Sequence, residues 1–230
     1  DKRVFNFLRA QGLEVQELEF NKSFNLSHDY RVTCIKDGFY DSGLLIESDG
    51  EKILNLNDCE VNTPNRADEV FAITGEVDVL LTQFSFAAWK GGGNNKKWRD
   101  EAAKEKISTV KLQIKKFQPK KVIPFASFVY FSNEENFYLN DAVNRPDQLK
   151  EMLKEYATKL VILAPNDILG GESEMLNEAQ ALSFWQKKYH KIHSHKLNKY
   201  ATTDLASIRN SFGAYCERID KNNSLRMIKV

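Results

Sequence analysis

The sequence lacks the features that would place it outside the ordinary globular class. Its 33 basic and 32 acidic side chains leave a formal net charge of +1, which disfavours partners such as nucleic acids that require a strongly basic surface. No apolar run approaches the roughly 18 residues of a membrane-spanning helix, and residues 1–5 have neither the charge order nor the apolar stretch of a signal peptide. We therefore expect neither a membrane nor a nucleic acid as partner.

Cysteine is also scarce. Three cysteines are an odd number, they lie far apart, and none has the Cys-x-x-Cys spacing of a zinc knuckle or a redox pair. A chain of this length buries roughly 70% of its unfolded surface and needs no disulfides, so we expect a reducing, cytoplasmic compartment. An initiator methionine is missing as well, which suggests a portion of a longer protein. The cysteines are Cys34, Cys59 and Cys216.

The first quarter of the sequence reads as one helix followed by short strands. Apolar residues share one helical face over 1–11, and Gly12 stands where a helix cap is expected. Alternating apolar and polar residues then predict strands, and Asp49-Gly50 predicts a tight hairpin because these residue types accept positive φ at small cost. The predicted strands are 14–20, 30–36, 42–47 and 52–57.

After Asp58 the pattern changes to alternating buried strands and helices, which predicts a layered α/β sheet. The predicted strands are 77–81, 122–125 and 160–163, and the predicted helices are 97–117 and 146–157. Residues 172–230 are mostly polar and helical. We therefore predict one domain over residues 1–171 and a helical carboxyl-terminal extension over residues 172–230.

A carboxylate stands at the end of one predicted strand. Asp58 closes the segment Ile53-Leu54-Asn55-Leu56-Asn57-Asp58, and ligands in α/β proteins collect at strand ends. The same position also suits a turn former or a helix cap. Taken alone, Asp58 is a candidate ligand and no more.

Three short motifs in order, Asn-Leu-Asn-Asp (55–58), Gln-Phe-Ser (83–85) and Pro-Phe-Ala (124–126), resemble the later part of the metallo-β-lactamase fold. The branch they resemble contains CMP-N-acetylneuraminate hydroxylase, with the UlaG-type lactonases more distant, and the resemblance covers about residues 13–165. It implies an αββα sandwich of mixed sheets, with a divalent-metal site, zinc or iron, at the edge between the sheets. It also implies that Asp58 bridges two metals, which together lower the pKa of a shared water.

The sequence departs from that family in its other ligands. The His-x-His-x-Asp-His motif of the fold occurs nowhere in these 230 residues, so we expect an upstream polypeptide segment to supply the histidines of any dinuclear centre. The domain over residues 1–171 would then lack its first metal-motif segment. Where relatives can carry a later histidine, this chain has Ser132 and Asn133, so either Glu134 or Glu135 substitutes or the ligand is lost.

A glycine-rich stretch at 91–95 precedes the long predicted helix and is followed by basic residues. Exposed N–H groups and the helix dipole can hold an anion there, although the stretch lacks the Gly-Lys-Ser/Thr ending of a P-loop. The alternative is a flexible loop. Because relatives place a substrate-side loop here, we predict substrate-binding roles for Gln83, Ser85, Trp89, Lys96, Lys97 and Arg99.

Three of the four histidines form His190-x-x-His193-x-His195. Clustered imidazoles can bind transition metals, but the many lysines around them oppose cation binding. The pattern favours a solvated basic face, with an anion contact or a metal site as alternatives.

The function that the resemblance implies is a metal-dependent hydrolase or hydroxylase-related enzyme acting on a small anionic substrate, such as a nucleotide-sugar or a sugar phosphate. The alternative belongs to another class. A fold member that has lost its ligands would act as a binding or scaffolding module.

Overall fold

In the described part of the chain, seven strands form one mixed sheet whose spatial order follows the order of the sequence. The computed structural model describes residues 2–39, 41–125, 127–170 and 176–222. The strands are β1 (Ser23–Asn25), β2 (Tyr30–Asp37), β3 (Asp41–Ser48), β4 (Glu51–Asn55), β5 (Val79–Thr82), β6 (Lys121–Pro124) and β7 (Lys159–Leu160). The predicted α/β class with a mixed sheet is confirmed.

Six α-helices and two short 3₁₀ segments accompany this sheet in the described part of the chain. The helices are α1 (Lys2–Ala10), α2 (Pro64–Thr74), α3 (Lys96–Phe117), α4 (Pro146–Met152), α5 (Glu178–His190) and α6 (Leu205–Asn222). The 3₁₀ segments are Phe137–Asp141 and Ile192–Ser194.

The first four strands are antiparallel and the last three pair in parallel, so β4 is the strand where the pairing changes. The turn between β3 and β4 places Asp49 and Gly50 at φ values of 51° and 79°, which confirms the predicted hairpin. Because β4, β5 and β6 are parallel, their carboxyl ends meet at one edge of the sheet. This carboxyl edge carries the residues that follow each strand.

The main core lies between the sheet and helices α2 and α3. Its fully buried members come from the strands and from the inner faces of the two helices, and each contributes about 1.5–3 kcal/mol through burial. They include Leu54, Val70, Leu80, Val110, Phe117 and Val122. A second cluster forms around Phe86 and Val143, and α5 contributes Tyr189 to it.

Helix α3 presents polar residues on the same side as its apolar core residues. Arg99, Lys106 and Gln113 are spaced by seven residues, which is close to two helical turns, so they share a face. Arg99 and Gln113 are each 1% exposed. Gln113 Oε1 accepts from the Thr82 hydroxyl at 2.6 Å, and its Nε2 donates to the Val61 carbonyl at 3.1 Å.

Two strand predictions differ from the structure. Residues 14–20 are not a strand: they form no ladder, because most of their side chains face solvent and the sheet begins only at β1. The run 160–163 is apolar as predicted, but its ladder covers only Lys159–Leu160. Likewise α4 ends at Met152 rather than at residue 157.

The described carboxyl-terminal region contains the helices α5 and α6, with mostly irregular chain between them. Helix α5 packs onto the body through Trp185, whose ring stacks on Phe128 at 4.1 Å between centroids and whose Nε1 donates to the Leu163 carbonyl. Helix α6 has no buried residue. Parts of the predicted extension, 172–175 and 223–230, lie outside the described residues, and the boundary at residue 171 stays a prediction.

None of the helices that the structure describes combines the length and the hydropathy needed to traverse a bilayer.

The Gln113 contacts generate a stability prediction. Replacing Gln113 by Ala leaves the buried Thr82 hydroxyl and Val61 carbonyl without their partner, so we expect the free energy of unfolding to fall by about 2–4 kcal/mol. Denaturant titration measures this change. Lys104→Ala, at an exposed position of the same helix, is the control and should change stability by less than about 0.5 kcal/mol; equal effects of the two substitutions would contradict the assigned role.

Candidate functional site

The residues after β4 bring Asp58 to the carboxyl edge of the sheet. The Leu56 N–H still donates to the Leu81 carbonyl at 3.0 Å, so β4 stays beside β5 up to this point. Asn57 then adopts a positive φ of 44°, a conformation that asparagine accepts more readily than most residues, and its N–H donates to Asn55 Oδ1. The chain turns there and leaves Asp58 exposed at the strand end.

Asp58 is the first member of a chain of three polar side chains. Gln83 follows β5, and its Nε2 donates to Asp58 Oδ1 at 2.8 Å. Lys106, on the inner side of α3, donates from Nζ to Gln83 Oε1. The structure therefore brings two of the sequence-predicted site residues, Asp58 and Gln83, into direct contact and adds a lysine.

Burial shifts the pKa values of two side chains at this edge, Lys106 and Cys59. Desolvation lowers the pKa of half-buried Lys106, and the charges of Glu105, Lys90, Glu60 and Asp58 modulate it. At Cys59, the residue after Asp58, desolvation and then the charges of nearby aspartates raise the pKa of the thiol to about 12. Because the thiolate is the reactive form, this upward shift disfavours Cys59 as a nucleophile.

The glycine-rich loop is anchored through its carbonyl groups. Gly91 lies at a φ of 78°, and its carbonyl accepts from the Tyr138 hydroxyl at 2.9 Å. The Gly92 and Gly93 carbonyls accept from the Arg99 guanidinium at 2.7 and 3.3 Å. The loop therefore directs oxygen atoms at a buried cation, the reverse of a loop that turns its N–H groups towards an anion.

Arg99 binds Asp141 as well as the loop. Its Nε and Nη2 donate to the two carboxylate oxygens of Asp141 at 2.8 and 2.7 Å, a bidentate ion pair. Hydrogen bonding to Arg99 is the main cause that lowers the pKa of Asp141, and the pKa of Arg99 is raised in turn. Nearly all donors of this predicted substrate ligand are thus occupied inside the protein.

Ser85 is also turned inward. It is fully buried, its hydroxyl accepts from the Asn144 N–H at 2.9 Å, and its carbonyl accepts from the Ser127 hydroxyl at 3.0 Å. Asn144 additionally donates to the Phe84 carbonyl. These contacts tie the segment after β5 to the segment before α4.

The remaining predicted substrate residues lie on the surface. The Trp89 ring is 62% exposed and meets the Trp98 ring edge-on at 5.6 Å between centroids. Lys96 pairs with Asp100 at 2.6 Å, and Lys97 lies 3.9 Å from Glu101. Exposed pairs of this kind contribute little to stability, so both lysines can exchange their partners for a ligand.

Glu134, the second predicted metal ligand, forms an ion pair with Lys199 at 2.9 Å. Its N–H donates to the Asn198 carbonyl, beside an isolated bridge between Asn133 and Asn198. Ala126, part of the third sequence motif, lies outside the described residues.

The three clustered histidines contact different groups. His190 Nδ1 lies 2.8 Å from the Gln186 carbonyl, His193 meets the Phe137 ring edge-on, and His195 stacks on Tyr130. All three histidines are exposed. This arrangement agrees with the solvated basic face favoured by the sequence.

The described residues do not form a complete metal site. Over residues 2–39, 41–125, 127–170 and 176–222, no three or more histidine, cysteine, aspartate or glutamate side chains gather into a group that could hold a metal ion. Asp58 offers one carboxylate, of which Oδ1 is already hydrogen bonded. A metal at this edge would therefore need ligands beyond these residues.

Sequence reasoning missed Lys106, Gln113 and Asp141. The spacing of Arg99, Lys106 and Gln113 was a usable signal, because these positions share the helix face of Ala103, Val110 and Phe117. A charged residue on the apolar face of a helix requires a buried partner. No comparable pattern marks Asp141.

Comparison with known proteins finds a relative from the branch that the sequence motifs resemble. No protein-family model matches the chain. The chain is 24% identical over 173 residues to the cytidine monophosphate-N-acetylneuraminic acid hydroxylase of Cricetulus griseus. The resemblance to this hydroxylase, predicted from the sequence motifs, is confirmed. The match covers 67% of the chain and 30% of the hydroxylase, so the chain spans less than a third of that relative.

Two solved structures are also similar. CmlA, a diiron beta-hydroxylase from Streptomyces venezuelae, is 13% identical with a TM-score of 0.46, and the match covers 67% of this chain and 34% of that one. A metallo hydrolase from the hyperthermophilic archaeon Ignicoccus hospitalis is 13% identical with a TM-score of 0.47, with 70% and 63% covered. Both TM-scores are below 0.5, so neither likeness assigns a residue or an activity to this chain.

Breaking the ion pair between Arg99 and Asp141 should destabilise the protein. Asp141→Asn leaves the Arg99 guanidinium buried without its counter-charge, and we expect the free energy of unfolding to fall by about 2–3 kcal/mol at pH 7, less than for a fully buried pair because Asp141 is partly exposed. The carboxylate contributes this stability fully above its unfolded-state pKa and loses it as the pH falls through its lowered folded-state pKa. The difference between the two proteins should therefore vanish in strong acid.

Denaturant titrations of both proteins from pH 7 down to pH 2 measure this dependence. Asp100→Asn, which breaks the exposed pair with Lys96, is the matched control and should cost less than about 1 kcal/mol. A difference for Asp141→Asn that does not change with pH would show that the carboxylate charge is not its source.

Proposed function

We propose that this chain is part of a metallo-β-lactamase-fold enzyme, a metal-dependent hydrolase or a relative of the hydroxylase, and that Asp58 is the carboxylate it contributes to the catalytic centre. One observation supports this most strongly. Asp58 lies at the carboxyl edge of parallel strands, where ligands of α/β proteins bind. Gln83 holds its Oδ1, while Oδ2 has no protein partner among the described residues.

The proposal assigns the other ligands of a zinc or iron centre to histidines from polypeptide outside these 230 residues. Two facts support this assignment. The described residues hold no group of three or more ligating side chains, and the hydroxylase that the chain resembles is more than three times as long as the matched part. Glu134 stays a candidate for a further ligand, and it would have to exchange Lys199 for the metal.

The proposed substrate is a small anionic molecule of the nucleotide-sugar or sugar-phosphate kind. Lys90 lies close enough to Lys106 for its charge to lower the pKa of Lys106, and the two lysines supply the positive potential that an anion requires. Gln83, Trp89, Lys96 and Lys97 remain candidates for direct contact. Ser85 and Arg99 act instead through the loops that their buried hydrogen bonds hold in place.

A second candidate function has its own support. A binding or scaffolding module that recognises an anion without a metal would need no ligands beyond the described residues, which gather no metal-ligating group. Calorimetric titration with CMP-sugars and sugar phosphates in metal-free buffer separates the two. Binding without metal favours the module, and turnover that requires metal favours the enzyme.

The enzyme proposal predicts that Asp58→Asn removes the metal. We expect protein expressed from the full reading frame to copurify with zinc, iron or manganese. The substitution should lower metal affinity by more than about 100-fold, the upper end of what losing an outer-shell partner costs. Elemental analysis and competition with a chelator measure this loss.

Asp49→Asn is the matched control, because Asp49 is an exposed aspartate in the hairpin turn at the far end of β4. It should leave the metal content unchanged. A wild-type protein without zinc, iron or manganese, or an Asp58→Asn variant with a full metal content, would contradict the enzyme proposal.

A further inference from the structure

We infer that Lys106 is a positioning residue for Asp58 and that it acts through the Gln83 side chain. The inference rests on the proposed function for its purpose, since it explains how a carboxylate is held at the carboxyl edge of the sheet. Its geometry stands independently of that function, in the contacts from Lys106 Nζ to Gln83 Oε1 and from Gln83 Nε2 to Asp58 Oδ1.

The chemistry of the three groups permits only one orientation of the amide. An ammonium group can only donate hydrogen bonds and a carboxylate can only accept them, whereas an amide has one accepting end and one donating end. Lys106 therefore requires the Gln83 oxygen, which leaves the Gln83 NH₂ group for Asp58. Lys106 and Asp58 thus favour the same orientation of the Gln83 amide and hold it from its two ends.

The fold holds Lys106 in place for this task. Arg99 and Gln113 lie seven residues before and after it on α3, and both are buried and hydrogen bonded to loops at the same edge of the sheet. The helix face cannot rotate without breaking these bonds. Lys106 is half-buried, unlike the exposed lysine at position 104, so its ammonium stays between the helix and Gln83.

The consequence for Asp58 is a fixed carboxylate. Hydrogen bonding to Gln83 commits Oδ1 and leaves Oδ2 directed away from that bond. Without Lys106, Gln83 Oε1 loses its donor, and only the bond to Asp58 is left to hold the amide. The amide and the carboxylate then move more freely, so Asp58 would lose its fixed orientation.

The test compares Lys106→Met, which keeps the length of the side chain and removes the donor, with Lys106→Arg, which keeps both donor and charge. The readout is the side-chain NH₂ resonance of Gln83 in ¹H–¹⁵N NMR spectra, identified by its absence from Gln83→Glu. Its hydrogen exchange reports the bond to Asp58. In Lys106→Met we expect this exchange to be at least about 10-fold faster, because the amide loses the charged donor that holds its oxygen end. Lys106→Arg should restore slow exchange.

Two controls separate positioning from general stability. Lys104→Met, on the exposed side of α3, should leave the Gln83 resonance unchanged, and thermal unfolding of all variants shows which of them fold. Asp58→Asn should also speed the exchange, because it replaces the charged acceptor by the weaker, neutral oxygen of an amide. Unchanged Gln83 exchange in a folded Lys106→Met protein overturns the inference.

Failure of the positioning role of Lys106 can be distinguished from failure of the proposed function. The Gln83 exchange measurement requires neither metal nor substrate, so it decides the positioning role alone. If Gln83 responds as expected but Asp58→Asn keeps its full metal content, the enzyme proposal fails while the positioning role stands. If Gln83 does not respond and Asp58→Asn loses its metal, the positioning role fails and the enzyme proposal stands.

Discussion

The seven-residue spacing of Arg99, Lys106 and Gln113 on the buried face of α3 is the constraint on which the carboxyl edge of the sheet depends. Polar groups that leave water must find partners in the protein, and each of these three finds them at the carboxyl edge of the sheet. Arg99 holds the glycine-rich loop and Asp141, and Lys106 holds Gln83. Gln113 holds Thr82 at the end of β5 and Val61 in the segment after β4. One helix therefore sets the positions of the segments that carry the candidate site.

The fold was predictable wherever the pattern was local. Asp49-Gly50 dictated a hairpin because few other residue pairs accept its backbone angles, and the long apolar period of α3 was visible over more than 20 residues. The prediction failed for residues 14–20, whose alternation resembles a strand but which pair with no strand among the described residues. Strand pairing depends on residues that are distant in the chain, so the composition of residues 14–20 could not exclude a strand there.

The candidate site was predictable in part for a related reason. Asp58 and Gln83 follow strands, and parallel pairing necessarily brings the ends of neighbouring strands together. The sequence could not show whether Arg99 and Ser85 face a substrate or the protein interior, because a guanidinium and a hydroxyl serve both purposes. Their hydrogen-bond partners turn both side chains inward. Arg99 binds Asp141, which is 42 residues away in the chain, and Ser85 binds Asn144, which is 59 residues away.

We propose that α3 holds Asp58 in position through Gln83, and that Asp58 is one ligand of a metal centre completed by residues outside this chain segment. The most direct measurement is anomalous X-ray scattering at the zinc and iron absorption edges from crystals of the metal-loaded, full-length protein. The account predicts an anomalous peak within about 2.2 Å of an Asp58 carboxylate oxygen, with the Gln83 amide still bonded to the carboxylate. A metal bound elsewhere, with Asp58 facing solvent, would contradict it.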